Sequence, residues 1–98
     1  MPPQRKKPPR SPQHAAFGEA VRRRREELEL TQEKLGEKKY WGGAKIGAIE
    51  CGTGNPNLST LLELGDALEA DLADLFSSAR DIRREGLPAI HRENPDSA

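Results

Sequence analysis

The stretch from Thr31 to Glu50 restricts the possible folds of this chain more than any other. It reads as two short helices, Gln32 to Lys39 and Gly43 to Glu50, joined by the tight turn Tyr40-Trp41-Gly42. Thr31 suits the N-cap of the first, with Gln32 and Glu33 in its opening turn, and Gly42 suits the start of the second. Leu35, Gly36, Trp41, Ile46 and Ile49 are the apolar or small positions. That spacing makes two helices meet at a steep angle around a small core. A small residue, Gly36, is expected where they cross, because a bulky side chain would hold them apart. The second helix is weak in isolation: an interior glycine costs about 1 kcal/mol relative to alanine.

Other helices flank this pair. From Ala15 to Leu28, Phe17, Ala20, Val21 and Leu28 lie on one stripe at helical spacing. Arg24 falls on the same stripe, where it is expected to lay its methylenes on the core and keep its head in water. After a glycine- and proline-marked loop, Cys51 to Pro56, Asn57 caps a helix from Leu58 to Leu68. Asp71 caps a short helix from Leu72 to Phe76, and Asp74 three residues on resembles a capping box. Asp81 to Glu85 extends the helical pattern before Gly86 and Pro88 break it. Alternating or β-branched runs that would argue for strands are missing. The expected fold is all-α, a compact five-helix domain over residues 15–76. A basic, proline-rich disordered arm, 1–14, precedes it, and a partly helical or disordered tail, 77–98, follows.

Charge separates these regions. The net charge is zero, yet residues 1–16 carry four bases and no acid, while residues 17–76 carry eight bases and twelve acids. The arm holds five prolines and the bases Arg5, Lys6, Lys7 and Arg10, too little apolar surface to offset the entropy of ordering. No apolar run approaches the ~20 residues that span a bilayer, and the basic N-terminus lacks the apolar stretch of a secretory signal. A single cysteine, Cys51, fits a reducing interior, and the expected location is cytoplasmic. His14, His91 and Cys51 have no metal-ligand spacing, and Gly52-x-Gly54 lacks the strand-helix context of a phosphate loop. Neither catalysis, a cofactor nor a metal is expected.

A set of short motifs adds to this reading. Phe17-Gly18-Glu19-Ala20 precedes Leu30-Thr31-Gln32-Glu33-Lys34-Leu35. Ile46-Gly47-Ala48-Ile49-Glu50, Gly52, Asn55-Pro56-Asn57-Leu58, Thr60-Leu61-Leu62 and Leu72-Ala73-Asp74-Leu75-Phe76 follow, in order and without a gap over residues 17–76. The ordered set resembles the Cro/C1-type (XRE) helix-turn-helix family, with its lambda-repressor-like fold. The resemblance implies that the helix from Gly43 to Glu50 enters a DNA major groove. It implies that Gln32 contacts a phosphate and braces that helix, and that Arg25 and Glu50 form an internal ion pair. Base-reading positions fall on Gly43, Ala44 and Ala48, with Lys45 and Gly47 beside them. Further DNA contacts are expected from Thr31, Arg22, Thr53, Asn55 and the arm residues Arg5, Lys6, Lys7 and Arg10.

Departures from the family pattern are as informative as the matches. Gly43, Ala44, Gly47 and Ala48 cannot form the bidentate base contacts made by Arg, Asn or Gln; the alanines can touch a thymine methyl and Lys45 can reach a guanine or a phosphate. The loop Gly52 to Asn55, often basic in the family, is uncharged, which leaves its amides as the expected phosphate donors. Where the family turns left-handed on glycine, this chain has Glu29, Tyr40 and Glu69. Trp41 replaces a smaller apolar residue and is expected to pack in the turn, with Tyr40 exposed.

The expected function is a DNA-binding transcriptional regulator, repressor-like, with modest sequence reading. Its partner is double-stranded DNA, bound as a homodimer if Leu72, Leu75, Phe76, Ile82 and Leu87 form an apolar seam. The alternative is a protein-interaction module on the same scaffold, antitoxin-like or an accessory regulator, with weak DNA binding and a protein partner.

Overall fold

A computed structural model describes residues 7–87. Five helices follow in order: α1 (Pro12–Glu27), α2 (Gln32–Glu37), α3 (Gly43–Cys51), α4 (Leu58–Ala67) and α5 (Leu72–Glu85). No strand occurs among the described residues. The expected all-α, five-helix architecture is the one observed. The first helix begins earlier than its apolar stripe suggests. Ser11 is its N-cap, accepting from the His14 amide at 3.1 Å, and Pro12 opens the first turn, where a missing N–H costs nothing. Helix α5 runs on through Arg80 to Glu85 instead of stopping at Phe76, because Ala79 and Ile82 continue its buried face. Asp71 stands at the N-cap of α5, but its side chain makes no capping bond, so the capping-box reading does not hold.

Helix α1 is the centre of the packing. Its residues from Ala15 to Val21 are all buried, with α5 against one side and α3 against another. Helix α2 packs on α3, and α4 on α5. Val21, Leu35, Ile46, Leu64, Leu68 and Ile82 form the fully enclosed centre. The closest helix approach is at Gly18: a Cβ there would lie 2.4 Å from the carbonyl oxygens of Ile49 and Glu50. Gly36, expected at a helix crossing, faces the turn instead, where a Cβ would lie 2.5 Å from the Trp41 carbonyl oxygen.

All four connections between the helices use one device. The residue at the turn has positive φ, and the next amide reaches back to a carbonyl five residues earlier. Leu30 donates to Arg25, Trp41 to Gly36, Thr53 to Ala48 and Ala70 to Gly65, at 2.8–3.2 Å. This closes the helix end by satisfying orphan carbonyls. The turn residues are Glu29, Tyr40, Gly52 and Glu69, and the first, second and fourth are the three non-glycine residues with positive φ among the described ones. Arg24 lies on the core and donates to the Leu68 and Glu69 carbonyls at 2.9 and 3.1 Å; Lys38 donates to the Ala67 carbonyl at 3.0 Å. Two cations thus close the C-terminal end of α4, where the helix dipole favours them.

The apolar seam expected between two copies is not exposed as such. Leu75 and Ile82 are buried in the core, and Leu72 and Leu87 pack against it half-buried. Phe76 alone of the five is exposed, its ring 5.1 Å from that of Phe17.

Candidate nucleic-acid interface

The interface candidate starts from a buried carboxylate. Glu50, near the end of α3, accepts from Arg25 Nε at 2.6 Å and Nη2 at 3.0 Å, and from Gln32 Nε2 at 3.0 Å. Arg25 Nη1 continues to the Leu30 carbonyl at 2.7 Å. One cluster therefore ties α1, α2, α3 and the turn after α1 together. The bonds to Glu50 raise the Arg25 pKa above its ordinary value against the opposing effect of burial. Removing Arg25 would leave a buried charge unpaired, a loss of about 3–5 kcal/mol for such pairs.

Gln32 does more than hold Glu50. Its Oε1 lies over α3, where a Cβ on Gly47 would come within 3.3 Å of it. The Glu33 side chain lies beside Gly43 in the same way, its Cγ at 3.0 Å from the place of a Cβ. The two glycines are therefore packing positions: they leave room for the opening side chains of α2 to lie on α3. That explains much of the empty reading surface seen in the sequence. It also brings Glu33, a residue the sequence reading did not single out, to the start of α3. Thr31 is exposed, and its hydroxyl caps α2 by accepting from the Lys34 amide at 3.0 Å.

On the outer side of α3, Ala44 and Lys45 are exposed and Ala48 is half-buried. Lys45 Nζ sits 4.4 Å from the centroid of the half-buried Trp41 ring. Such a contact contributes about 0.5–1 kcal/mol at an exposed site, little enough to be exchanged for a phosphate. Tyr40 beside it is 98% exposed.

The loop after α3 uses its donors internally. The Gly52 amide donates to Ile49, and the Thr53 and Gly54 amides both donate to Ala48, at 3.0–3.1 Å. The Thr53 hydroxyl donates to the same Ala48 carbonyl at 3.3 Å. The loop amides expected to meet a phosphate are thus turned into α3 at 52, 53 and 54. Asn55 is exposed and its Oδ1 is 3.2 Å from His14 Nε2, while His14 Nδ1 is 2.7 Å from the Ser11 hydroxyl. Arg10 lies on this loop, its amide bonded to the Gly52 carbonyl and its Nε to the Thr53 carbonyl, both at 2.9 Å.

The expected contacts thus divide. Thr31, Gln32, Gly43, Ala44, Lys45 and Ala48 belong to the α2–α3 unit, and Arg10, Thr53 and Asn55 meet at the loop after α3. Arg22 stands apart from both: Glu19 accepts from its Nε and Nη2, and Glu26 accepts from its Nη1 at 2.8 Å, so its guanidinium is engaged within α1. Lys7 is exposed. Arg5 and Lys6 lie outside the described residues.

Among the described residues no group of three His, Cys, Asp or Glu side chains is placed to hold a metal. No described helix is long and apolar enough to cross a membrane.

No curated protein matches the sequence. Among solved structures, the chain is similar to the clp gene regulator ClgR from C. glutamicum, at 25% identity and a TM-score of 0.68, over 78% of this chain and 96% of that one. The sequence model of a family described as "Helix-turn-helix domain" matches residues 16–76, more than half of the chain, from the start of α1 into α5. The chain belongs to the helix-turn-helix domain family.

Proposed function

We propose that this protein is a DNA-binding transcriptional regulator of the Cro/C1 type, repressor-like, that sets α3 in the major groove. The observation that carries this reading is the Arg25–Glu50–Gln32 cluster. It ties α2 to α3 while Ala44 and Lys45 on the outer face stay exposed and Ala48 half-exposed. Family membership and the likeness to a gene regulator support the same reading. Gln32, Lys45 and the basic arm bind phosphates. Ala44 and Ala48 meet thymine methyls, and Lys45 reaches a guanine or a backbone oxygen. With no side chain at 43, 44, 47 or 48 able to make a bidentate base contact, discrimination rests on few contacts, and attraction is mostly electrostatic. The protein acts in the cytoplasm, at the nucleoid.

Selection of bound duplexes from a random pool tests the proposal. Enrichment of a short, thymine-containing half-site supports it. Recovery of no enriched sequence favours the second reading, a protein-interaction module on the same scaffold. The exposed Leu58, Leu62, Phe76 and Tyr40 are the observation that keeps that reading alive. It predicts a stable complex with a protein in the native host and only weak DNA binding.

A further inference from the structure

We propose that Arg10 supplies the phosphate-binding charge of the loop between α3 and α4, so that the start of the chain and this loop act as one contact to the DNA backbone. The inference rests on the DNA-binding reading above and assigns one of its contacts to a defined place. A helix set in the major groove has a phosphate strand on either side, and the loop leaving its C-terminal end faces one of them. In this chain that loop has no charged residue between Cys51 and Asn57. Its amides at 52, 53 and 54 and the Thr53 hydroxyl point back to carbonyls of α3. The loop by itself therefore has little to offer a phosphate.

Arg10 fills the gap from outside the loop. Its amide and its Nε hold the carbonyls of Gly52 and Thr53. Pro9 lies over Gly52 so closely that a Cβ at 52 would stand 2.9 Å from the Pro9 Cβ. Gly52 also needs its positive φ of 79°, so the seat for Pro9 and Arg10 depends on glycine at this place. The Ser11 cap and the His14–Asn55 contact hold the corner on the other side of Arg10.

What remains of the side chain is informative. Nε is used on Thr53, whereas Nη1 and Nη2 have no protein partner among the described residues, and the residue is exposed. A guanidinium anchored through Nε still presents its outer nitrogens to a phosphate, and holding it in place beforehand lowers the entropy lost on binding. A solely structural role, closing the C-terminal end of α3, would use the Nε bond and the positive charge but would be indifferent to DNA.

The test is duplex binding by the full chain across a salt series, with Arg10→Ala and Arg10→Gln. Gln keeps a donor within reach of the loop but removes the charge, and thermal melting shows that each variant is folded. The expected result is a log–log salt slope shallower by about 0.9 than that of the unaltered chain, the value for one phosphate. The loss of affinity should be the same for random and selected duplexes, since phosphate contacts carry no sequence information. An unaltered slope in a folded variant overturns the assignment of Arg10 while leaving the DNA-binding reading intact. If the unaltered chain binds no duplex at low salt, that reading fails and the assignment fails with it.

Discussion

Glu19 shows how a single side chain can escape a sequence reading. It is fully buried in the middle of α1, where the helical stripe suggests only a polar residue between apolar ones. Arg22 and Arg23 close over Glu19, the latter with Nε at 2.9 Å. Burial alone would push the Glu19 carboxyl up, but the bonds from Arg22 and Arg23 outweigh it and hold the pKa below the ordinary value. A carboxylate with a depressed folded pKa stabilises the fold above its unfolded pKa and loses that contribution as the pH falls through the folded value. Glu19→Gln should therefore destabilise the protein at neutral pH by about 1–3 kcal/mol, the cost of leaving a buried partner poorly satisfied. Its melting temperature should also fall less on acidification than that of the unaltered chain. Parallel pH dependences in thermal melts would remove Glu19 as the acid-sensitive group. Gly18, next to it, was equally hidden in the sequence: nothing local marks which glycine meets another helix, and a resemblance-free reading places the close contact at Gly36. The contact at Gly18 depends on how α1 and α3 lie in space.

At the level of helices and turns, more was legible. Thr31, Gly42 and Asn57 mark the starts of α2, α3 and α4, and Thr31 and Asn57 make the capping bonds that their side chains suit. Ser11-Pro12 marks the start of α1 in the same way, a signal masked by the proline-rich composition around it. The family pattern marked Glu29, Tyr40 and Glu69 as places where glycine usually turns left-handed; the turns keep that conformation although none of these residue types favours positive φ. Each carries a penalty of about 1–2 kcal/mol. Replacement by glycine should thus stabilise the protein at each of the three places, by about 1 kcal/mol once the extra freedom of the unfolded glycine is counted. Chemical denaturation of Glu29→Gly, Tyr40→Gly and Glu69→Gly checks this. Tyr40→Gly is the cleanest case, because the Tyr40 side chain is almost wholly exposed. A loss of stability there would show that the turn needs the side chain. The extra length of α5 was the element least visible: Ser77, Ser78 and Arg80 weaken the apolar pattern, and only packing against α1 shows that Ala79 and Ile82 continue it.

For the whole molecule, the zero net charge conceals a division of labour. The folded part is acidic, and many of its bases are engaged in the structure: Arg22 and Arg23 by Glu19, Arg24 and Lys38 by α4 carbonyls, Arg25 by Glu50 and Lys39 by Asp66. The scaffold of the candidate site was legible through the family resemblance, which implied the Arg25–Glu50 pair and the bracing of α3 by Gln32. The placement of Arg10 on the loop, and of Gln32 and Glu33 over glycines of α3, was not, because contacts between segments far apart in sequence leave no local trace. On the proposed function, attraction to DNA comes from Lys45 and from the basic start of the chain, against a repulsive background. Binding of the intact chain to a random duplex and to a selected site, measured across a salt series, tests this most directly. The expected result is binding to both at low salt, a linear fall of log affinity with log salt whose slope corresponds to several phosphates, and a small gap between the two duplexes. The contradicting result would be no binding to either duplex at low salt.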